Sequence, residues 1–245
     1  MLTNCERSPT RWRKLDMVNT CYGCSLRSLM CDIREICEQK VKLSSYFPRN
    51  QKSASSHLIL FRMDLSMQYS ATSLAGVMIL TPTTFSDHRG QFRECFRQAE
   101  FEQHCGNYPL VQDNLSRSVG GTLRGLHYQR CRPQGKLVQV ISGTIFDVVV
   151  DIRPASPTYG KWLGCLLNAE LGGLIWIPPG FAHGFYVVSD SADVFYRCSD
   201  YYHPGDEAAI RWDSPSLAIK WPLSEQRPLL LSDKDRLAPC FVAVL

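Results

Sequence analysis

The chain lacks any hydrophobic run long enough to cross a membrane. No segment of its 245 residues approaches the ~18 uninterrupted apolar residues that a spanning helix requires. No apolar signal segment follows Met1, so we expect the protein to remain in the cytoplasm and to have no membrane partner. With 44% hydrophobic and 20% charged residues, it has enough apolar side chains to bury a core.

A clustered basic region is also missing outside the N-terminal quarter. The net charge is +4, but residues 1–66 hold 11 Lys and Arg against 6 Asp and Glu. The rest of the chain carries 16 basic and 17 acidic side chains. Because a nucleic-acid-binding domain gathers basic side chains on one face, we expect no nucleic-acid partner.

Metal-ligand patterns are scarce, although the chain has 11 cysteines and 6 histidines. It contains no HxH pair, which is the close spacing expected of a metal-binding jelly-roll barrel. "CYGC" at 21–24 has zinc-knuckle spacing, but no second CxxC and no HxxxH follows it. We therefore expect no metal, and we expect the scattered cysteines to remain reduced.

The N-terminal quarter differs in composition from the remainder. Apolar residues in "LRSLMCDIREICEQKVKL" recur at spacings of three and four, which predicts an amphipathic helix. We predict an extension over 1–66, poorly ordered or partly helical, before a domain over 67–245. Three interpretations of the extension are open. It has no function, or translation truly starts at Met63 or Met67 and the extension comes from a start codon assigned too far upstream. The third is a targeting peptide, which the acidic residues of the extension disfavour.

From Gly76 onward, short β-rich runs alternate with turn signals. "ISGTI" predicts a hairpin turn at Ser142 and Gly143, and "IPPG" at 177–180 predicts a tight turn. "QAEFEQHCG" is the one helix-like stretch of this region, and it is short. Many short strands at this spacing predict an all-β jelly roll, a β-sandwich or barrel with few short helices.

Alternation along two predicted strands places polar groups among apolar ones. Asp147 shares a face with apolar residues, a costly position for a carboxylate unless it is paired or faces a polar cavity. His183 shares a face with Phe181 and Phe185, as in a barrel that holds a ligand. The alternative is a core histidine bonded to a carbonyl oxygen. If a ligand pocket forms, these two phenylalanines and Trp176 are candidates for its walls.

Side chains suited to acid–base chemistry accumulate in the same region. They are Arg89, Glu94, Gln112, Asn114, Arg124, His127, Lys136, His183, Tyr196, Glu207, Lys234 and Asp235. A histidine, a carboxylate, a lysine and a tyrosine together suit proton abstraction next to a carbonyl group. The histidine serves as base, and the carboxylate fixes its tautomer. The lysine stabilises the enolate oxygen, and the tyrosine returns a proton.

One feature of "TLRGLHYQ" (122–129) opposes a shared site. Strict alternation puts Arg124 and His127 on opposite faces of their strand. A β-bulge, or a position at the rim of the barrel, would be needed to bring both side chains to one cavity.

Eight segments, taken in order, resemble one family. They are "DHRGQFRECF", "VQDNLSRS", "LRGLHYQ", "GKLVQVISGTIFDVVVDIRPASPTYGKW", "IWIPPGFAHGF", "YRCSDYYHPGDE", "IKWPL" and "LSDKD". The region from about Gly76 to Pro239 resembles the dTDP-4-dehydrorhamnose 3,5-epimerases, which are jelly-roll enzymes of the cupin class. Nothing before Met67 takes part in the resemblance.

The resemblance implies a substrate, dTDP-4-dehydro-6-deoxy-D-glucose, whose C3 and C5 centres are inverted to give dTDP-4-dehydro-L-rhamnose. It also implies no cofactor and a homodimer. Carried over by motif, His127 is the base, Asp235 its carboxylate partner, Tyr196 the acid, and Lys136 the group beside the enolate. The implied substrate contacts are Arg89, Glu94, Gln112, Asn114, Arg124, His183, Glu207 and Lys234.

Two other functions remain open. A non-catalytic sugar-nucleotide-binding cupin would be expected to lose His127 or Tyr196, and both are present. An epimerase of a single centre, 3 or 5, from another deoxysugar pathway would use the same base. In this family the N-terminal strand commonly joins the partner's sheet, so the extension leaves the dimer geometry open.

Overall fold

The computed structural model describes residues 66–242, and this part of the chain is a jelly roll, as predicted. The strands are β1 (Gln68–Ala71), β2 (Met78–Thr81), β3 (Thr84–Asp87), β4 (Gly90–Arg93), β5 (Gln112–Val119), β6 (Leu123–Gln129), β7 (Lys136–Ser142), β8 (Thr144–Asp151), β9 (Trp162–Asn168), β10 (Leu174–Ile177), β11 (Phe181–Val187), β12 (Ser191–Cys198) and β13 (Glu207–Ala209). Two short helices complete it, α1 (Gln98–Cys105), where a helix was predicted, and α2 (Asp233–Arg236), with a 3₁₀ turn at Pro204–Asp206. The helix and the "CYGC" motif predicted in the extension lie outside the described residues and stay predictions.

Two large antiparallel sheets form the body of the fold. One has six strands in the order β1-β2-β10-β7-β12-β5, and the other has five in the order β13-β6-β11-β8-β9. Strands β3 and β4 form a separate two-stranded sheet.

The core lies between the two large sheets and on their outer faces. Val138 of β7 and Val149 of β8 belong to the cluster between the sheets. Val148, one residue away on β8, belongs to a second cluster under the C-terminal segment. The predicted alternation along β8 is therefore confirmed. The third cluster packs Phe101 of α1 against Trp176 of β10.

The turn at Ser142 and Gly143 forms, but the predicted hairpin is wrong. Strand β7 belongs to the six-stranded sheet and β8 to the five-stranded sheet, so the turn carries the chain from one sheet to the other. Gly143 has φ +80°, and a Cβ atom there would lie 2.0 Å from the carbonyl oxygen of Ser191. The inner faces of β7 and β8 consequently meet across the interior.

Strand β6 contains a β-bulge, which is one of the two ways in which the sequence could bring Arg124 and His127 to one cavity. His127 pairs with His183 of β11, and Arg124 pairs with Phe185, so three steps on β6 oppose two on β11. The extra residue reverses the alternation between the two side chains. As a result Arg124 and His127 line the same cavity.

Gly125 sits at this bulge, where the two strands approach closely. With φ +126°, it would place an added Cβ atom 2.5 Å from the Cα atom of Gly184. We expect Gly125→Ala to lower the free energy of unfolding, because both backbone strain and a backbone clash oppose it. Gly90→Ala is the matched control, since Gly90 has φ +130° with no atom within 4 Å of that position. In urea denaturation, Gly125→Ala should lower the free energy of unfolding by roughly 1–3 kcal/mol more than Gly90→Ala does. Equal losses of unfolding free energy in the two variants would contradict the close packing of Gly125 against Gly184.

Candidate active site

A cavity of about 340 Å³ lies between the two sheets, a size that accommodates a small ligand. Nine of the twelve residues predicted from sequence line it: Gln112, Asn114, Arg124, His127, Lys136, His183, Tyr196, Glu207 and Lys234. They come from β5, β6, β7, β11, β12, β13 and α2. Both sheets therefore contribute to one polar space in an otherwise apolar interior.

His127 is held by a buried carboxylate. Its Nε2 lies 2.5 Å from Oδ1 of Asp235, whose side chain is 3% exposed. Burial alone would raise the pKa of Asp235, but hydrogen bonds from His127 and Ser232 outweigh it and hold that pKa below its usual range. The pair fixes the imidazole orientation, and the ring itself remains open to the cavity.

The C-terminal segment brings Asp235 to β6. The Leu123 amide donates to the Leu230 carbonyl at 3.0 Å, and the Leu230 amide donates to the Gly121 carbonyl at 2.9 Å. Ser232 then caps α2, accepting from the Asp235 amide at 3.1 Å and donating to its Oδ2 at 2.8 Å. Backbone pairing and a helix cap thus place the carboxylate.

Lys136 and Tyr196 project from neighbouring strands of the six-stranded sheet. Lys136 pairs directly with Cys198 across β7 and β12, and Tyr196 lies two residues earlier on the same face. Burial lowers the pKa of Lys136, and the negative charges of Asp147 and Glu207 oppose that effect. Burial raises the pKa of the Tyr196 phenol, which therefore keeps its proton at neutral pH.

A row of polar side chains follows the inner face of β5. The Gln112 amide donates to Asn114 Oδ1 at 3.1 Å. Ser116 follows with a buried hydroxyl that has no hydrogen-bond partner among residues 66–242. Ser118 accepts from Arg124 Nε at 3.0 Å, and Arg124 lines the cavity. This wall presents amide, hydroxyl and guanidinium groups suited to a polar, anionic ligand.

His183 forms a second imidazole–carboxylate pair. Its Nε2 lies 2.7 Å from Oδ2 of Asp147, and the Asp147 side chain is fully buried. The partner is thus a carboxylate, not the carbonyl oxygen of the alternative interpretation. The pair offsets part of the expected cost of Asp147 in an apolar strand, although Oδ1 has no hydrogen-bond partner among residues 66–242.

Glu207 connects two groups at the mouth of the cavity. Lys234 Nζ lies 2.6 Å from Glu207 Oε1, and the Tyr202 hydroxyl donates to Oε2 at 2.8 Å. Burial raises the pKa of Glu207, but these two hydrogen bonds lower it further than burial raises it. The carboxylate consequently stays ionised and organises the entrance.

Comparison with known proteins agrees with this geometry. A family model described as dTDP-4-dehydrorhamnose 3,5-epimerase matches residues 71–242. The dTDP-4-dehydrorhamnose 3,5-epimerase of Methanothermobacter thermautotrophicus is 48% identical over 169 residues, which cover 69% of this chain and 91% of that protein. The chain belongs to the dTDP-4-dehydrorhamnose 3,5-epimerase family.

Solved structures place the fold in the same family. The dTDP-6-deoxy-D-glucose-3,5-epimerase of Legionella pneumophila Philadelphia 1, in complex with dTDP-4-keto-L-rhamnose, is 48% identical with a TM-score of 0.69 over 71% of this chain and 93% of that chain. ChmJ, a 3'-monoepimerase from Streptomyces bikiniensis in complex with dTDP-quinovose, is 37% identical with a TM-score of 0.65 over 69% and 85%. A relative named as a 3,5-epimerase and a relative named as a 3'-monoepimerase thus share this fold.

Two predicted contact residues lie outside the cavity of this epimerase-family chain. Arg89, in the β3–β4 turn, has a 79% exposed side chain bound to Asp87 at 2.6 Å. Glu94, after β4, is bound to Arg97 at 2.8 Å. Their role in substrate binding stays a prediction.

Of the aromatic residues expected to wall the pocket, Phe185 lines the cavity and Phe181 packs in the core between the sheets. Trp176 was placed there wrongly. It is buried on the other face of β10, against α1.

Sequence reasoning missed several cavity residues. Ser116 and Cys198 follow Asn114 and Tyr196 at a spacing of two, so alternation alone would have found them. Tyr202 lies in a loop, where no periodicity applies, and only its place in "DYYHPGDE" pointed to it.

Two features are absent from the described part of the chain. Between residues 66 and 242, no group of three or more His, Cys, Asp or Glu side chains is placed to hold a metal ion. In the same range, no helix is both long and apolar enough to span a membrane.

The low pKa of Asp235 predicts a pH-dependent contribution to stability. This contribution is present above the unfolded-state value of about 3.9 and is lost as pH falls through the lower folded-state value. Asp235→Asn lacks it, so the stability advantage of the wild type should be largest above about pH 5 and shrink below pH 4. Denaturation curves between about pH 2 and 6 test this expectation. Asp233→Asn, a change in the same helix at an 88% exposed side chain, should show little such dependence.

Proposed function

We propose that this protein inverts C3 and C5 of dTDP-4-dehydro-6-deoxy-D-glucose to give dTDP-4-dehydro-L-rhamnose. The observation that carries the proposal is the His127–Asp235 pair, 2.5 Å apart, in a cavity that also holds Lys136 and Tyr196. A base, a cation and an acid are the groups that epimerisation beside a ketone requires.

In the proposed reaction, His127 removes a proton next to the 4-keto group. Asp235 holds the ring by Nε2, so Nδ1 of His127 is the nitrogen that takes the proton. The carboxylate then stabilises the imidazolium that forms. Electrons from the broken C–H bond move onto the 4-oxygen, which becomes an enolate.

Lys136 stabilises this enolate, and Tyr196 completes the inversion. Lys136 lines the cavity beside Tyr196, so its ammonium donors can reach the enolate oxygen. The Tyr196 phenol, protonated because burial raises its pKa, returns a proton to the opposite face of the carbon. The same groups act at C3 and at C5, once His127 has released its proton to water and Tyr196 has regained one from water.

The remaining cavity residues bind the nucleotide sugar. Arg124 and Lys234 supply positive charge for the diphosphate. Gln112 and Asn114 on β5, with His183 and Glu207, supply hydrogen bonds to the sugar and the nucleoside.

Epimerisation at a single centre is the second candidate, and the likeness to the 3'-monoepimerase ChmJ supports it. That likeness, at 37% identity, is weaker than the 48% shared with the Legionella 3,5-epimerase. The double inversion is therefore the function that we favour.

We also propose a homodimer. The outer face of the six-stranded sheet exposes Leu115 (65%), Val119 (59%) and Ile141 (52%), and β5 is one of the two edge strands of that sheet. An apolar sheet face of this kind fits a two-fold contact between copies. Sedimentation at a mass of two chains would support this arrangement.

A cytoplasmic location fits the cysteine chemistry. The six cysteines within the described range are all free thiols. Unpaired cysteines are typical of a reducing compartment.

Removal of the base should abolish the reaction. His127→Ala is expected to lower the rate of epimerisation on the order of 100-fold or more, the usual contribution of a positioned base. Turnover is followed by NMR of the sugar, with His104→Ala as control, since His104 is an exposed residue of α1 outside the cavity. Near-wild-type turnover in His127→Ala would assign the base to another residue.

Tyr196→Phe should separate proton removal from inversion. The change keeps the ring but removes the proposed donor, while His127 and Lys136 remain. We expect C3 and C5 protons still to exchange with D2O at a reduced rate, and inversion to fall much further. Both quantities are measured on one NMR sample. Equal losses in the two would mean that Tyr196 orients the substrate and does not deliver the proton.

A further inference from the structure

The chain between β12 and the 3₁₀ turn, residues 199–203, forms neither helix nor strand, yet it contributes Tyr202 to the lining of the cavity. Burial alone does not hold the Tyr202 ring, since the residue is 44% exposed. An irregular segment lacks the regular pairing of a strand, so side chains must bind many of its backbone groups. The position of Tyr202 therefore depends on side chains that neighbouring elements contribute.

Gln129, the last residue of β6, binds the backbone on both sides of Tyr202. Its Oε1 accepts from the His203 amide at 2.7 Å, and its Nε2 makes a long hydrogen bond of 3.5 Å to the Tyr201 carbonyl oxygen. Nε2 also donates to the Arg132 carbonyl oxygen at 2.7 Å, in the segment between β6 and β7. Both ends of this 5% exposed side chain are thus bound to backbone, and we call these three hydrogen bonds the Gln129 clamp.

The partners of Gln129 require an amide at this position. Two carbonyl oxygens lie on its Nε2 side, and one N–H group lies on its Oε1 side. Turning the amide over would face oxygen to the carbonyl groups and the amino group to the N–H, which would lose all three hydrogen bonds. A carboxylate could not donate to the carbonyl groups, and an apolar side chain could make none of these bonds.

Two further contacts complete the binding of Tyr202. Its amide donates to Oε1 of Gln112, on β5 of the other large sheet, at 2.9 Å. Its hydroxyl donates to Oε2 of Glu207 at 2.8 Å, and Glu207 pairs with Gln129 in the register of β13 and β6. Tyr202 is consequently held at its own amide, at its hydroxyl and, through Gln129, at both neighbouring residues.

We propose that Gln129 is a positioning residue for the nucleotide sugar, because it fixes the backbone on both sides of Tyr202 and so holds Tyr202 and Glu207 in place at the mouth of the cavity. Groups that are ordered before binding do not have to be ordered by the ligand, so loss of the clamp should weaken affinity more than it slows the chemical step. The consequence for binding rests on the proposed function, whereas the clamp itself does not.

The clamp can be tested in the ligand-free wild type. An NMR scalar coupling between the His203 amide nitrogen and the side-chain carbonyl carbon of Gln129 arises only across a hydrogen bond. The internal reference is the backbone bond from the Ile210 amide to the Leu126 carbonyl oxygen, at 2.9 Å. We expect both couplings. A coupling across the reference bond with none between His203 and Gln129 would overturn the proposal.

Gln129→Met tests the consequence for binding, since it removes the amide and keeps the length of the side chain. We expect the His203 amide to exchange with D2O roughly tenfold faster, which corresponds to one hydrogen bond of ordinary net strength. The Kd for dTDP, measured by calorimetry, and the KM for the nucleotide sugar should rise by about the same factor, and kcat should fall less. Unchanged exchange at His203, or faster exchange with an unchanged Kd, would overturn the proposal.

Gln139→Met is the matched control. Gln139 of β7 is also buried, at 9% exposed, but its Nε2 lies 3.4 Å from Cys95 Sγ and it does not line the cavity. This variant should leave the exchange of the His203 amide, the Kd for dTDP and the KM at their wild-type values. Equal rises of KM in the two variants would indicate a general loosening of the fold and would overturn the specific role of Gln129.

A second variant covers the case in which Gln129→Met does not fold. Gln129→Glu keeps the shape of the amide and an acceptor for His203, but its carboxylate cannot donate to Arg132. It should also raise the Kd for dTDP, and an unchanged Kd would overturn the proposal.

Failure of the proposed function would be visible separately, because calorimetry with dTDP needs no turnover. A raised Kd in the Gln129 variants, together with a wild type that does not epimerise the sugar, would support the positioning role and contradict the epimerase assignment.

Discussion

The hydrogen bond between His127 and Asp235 joins parts of the chain 108 residues apart, and the site depends on it. The C-terminal segment pairs with the start of β6 through Leu230, and α2 then presents the carboxylate. Without this docking, the imidazole would face the cavity with neither its tautomer nor its orientation fixed. The acid–base chemistry therefore depends on the docking of the C-terminal segment against β6.

The same interior imposes charge balance on the other groups. Lys136, Asp147, His183 and Glu207 all lie at or beside the polar space between the two large sheets. Each carboxylate there is bound by an imidazole or an amine, and the arrangement leaves an ammonium and a phenol for the ligand. A site built in this way is polarised before the substrate enters it, which is the condition for electrostatic stabilisation of an enolate.

Much of this arrangement follows from period-two patterns in the sequence. Alternation placed Asp147 and His183 on inner faces, and its failure between Arg124 and His127 pointed to the bulge. Turn chemistry was less informative, because Ser142 and Gly143 specify a turn but not the sheet to which the next strand belongs. Trp176 was misplaced because the turn at 177–180 interrupts alternation, so the inner face of β11 does not predict the face of β10. The carboxylate bound to His183 could not be assigned, since Asp147 is 36 residues away.

The central claim is that one histidine-centred cavity inverts two carbons next to a ketone. NMR of the wild-type protein with dTDP-4-keto-6-deoxyglucose in D2O tests it most directly. The account predicts deuterium at both C3 and C5, with inversion at both centres. Exchange and inversion confined to one carbon would contradict the double inversion, and no exchange at either carbon would contradict the enzymatic function itself.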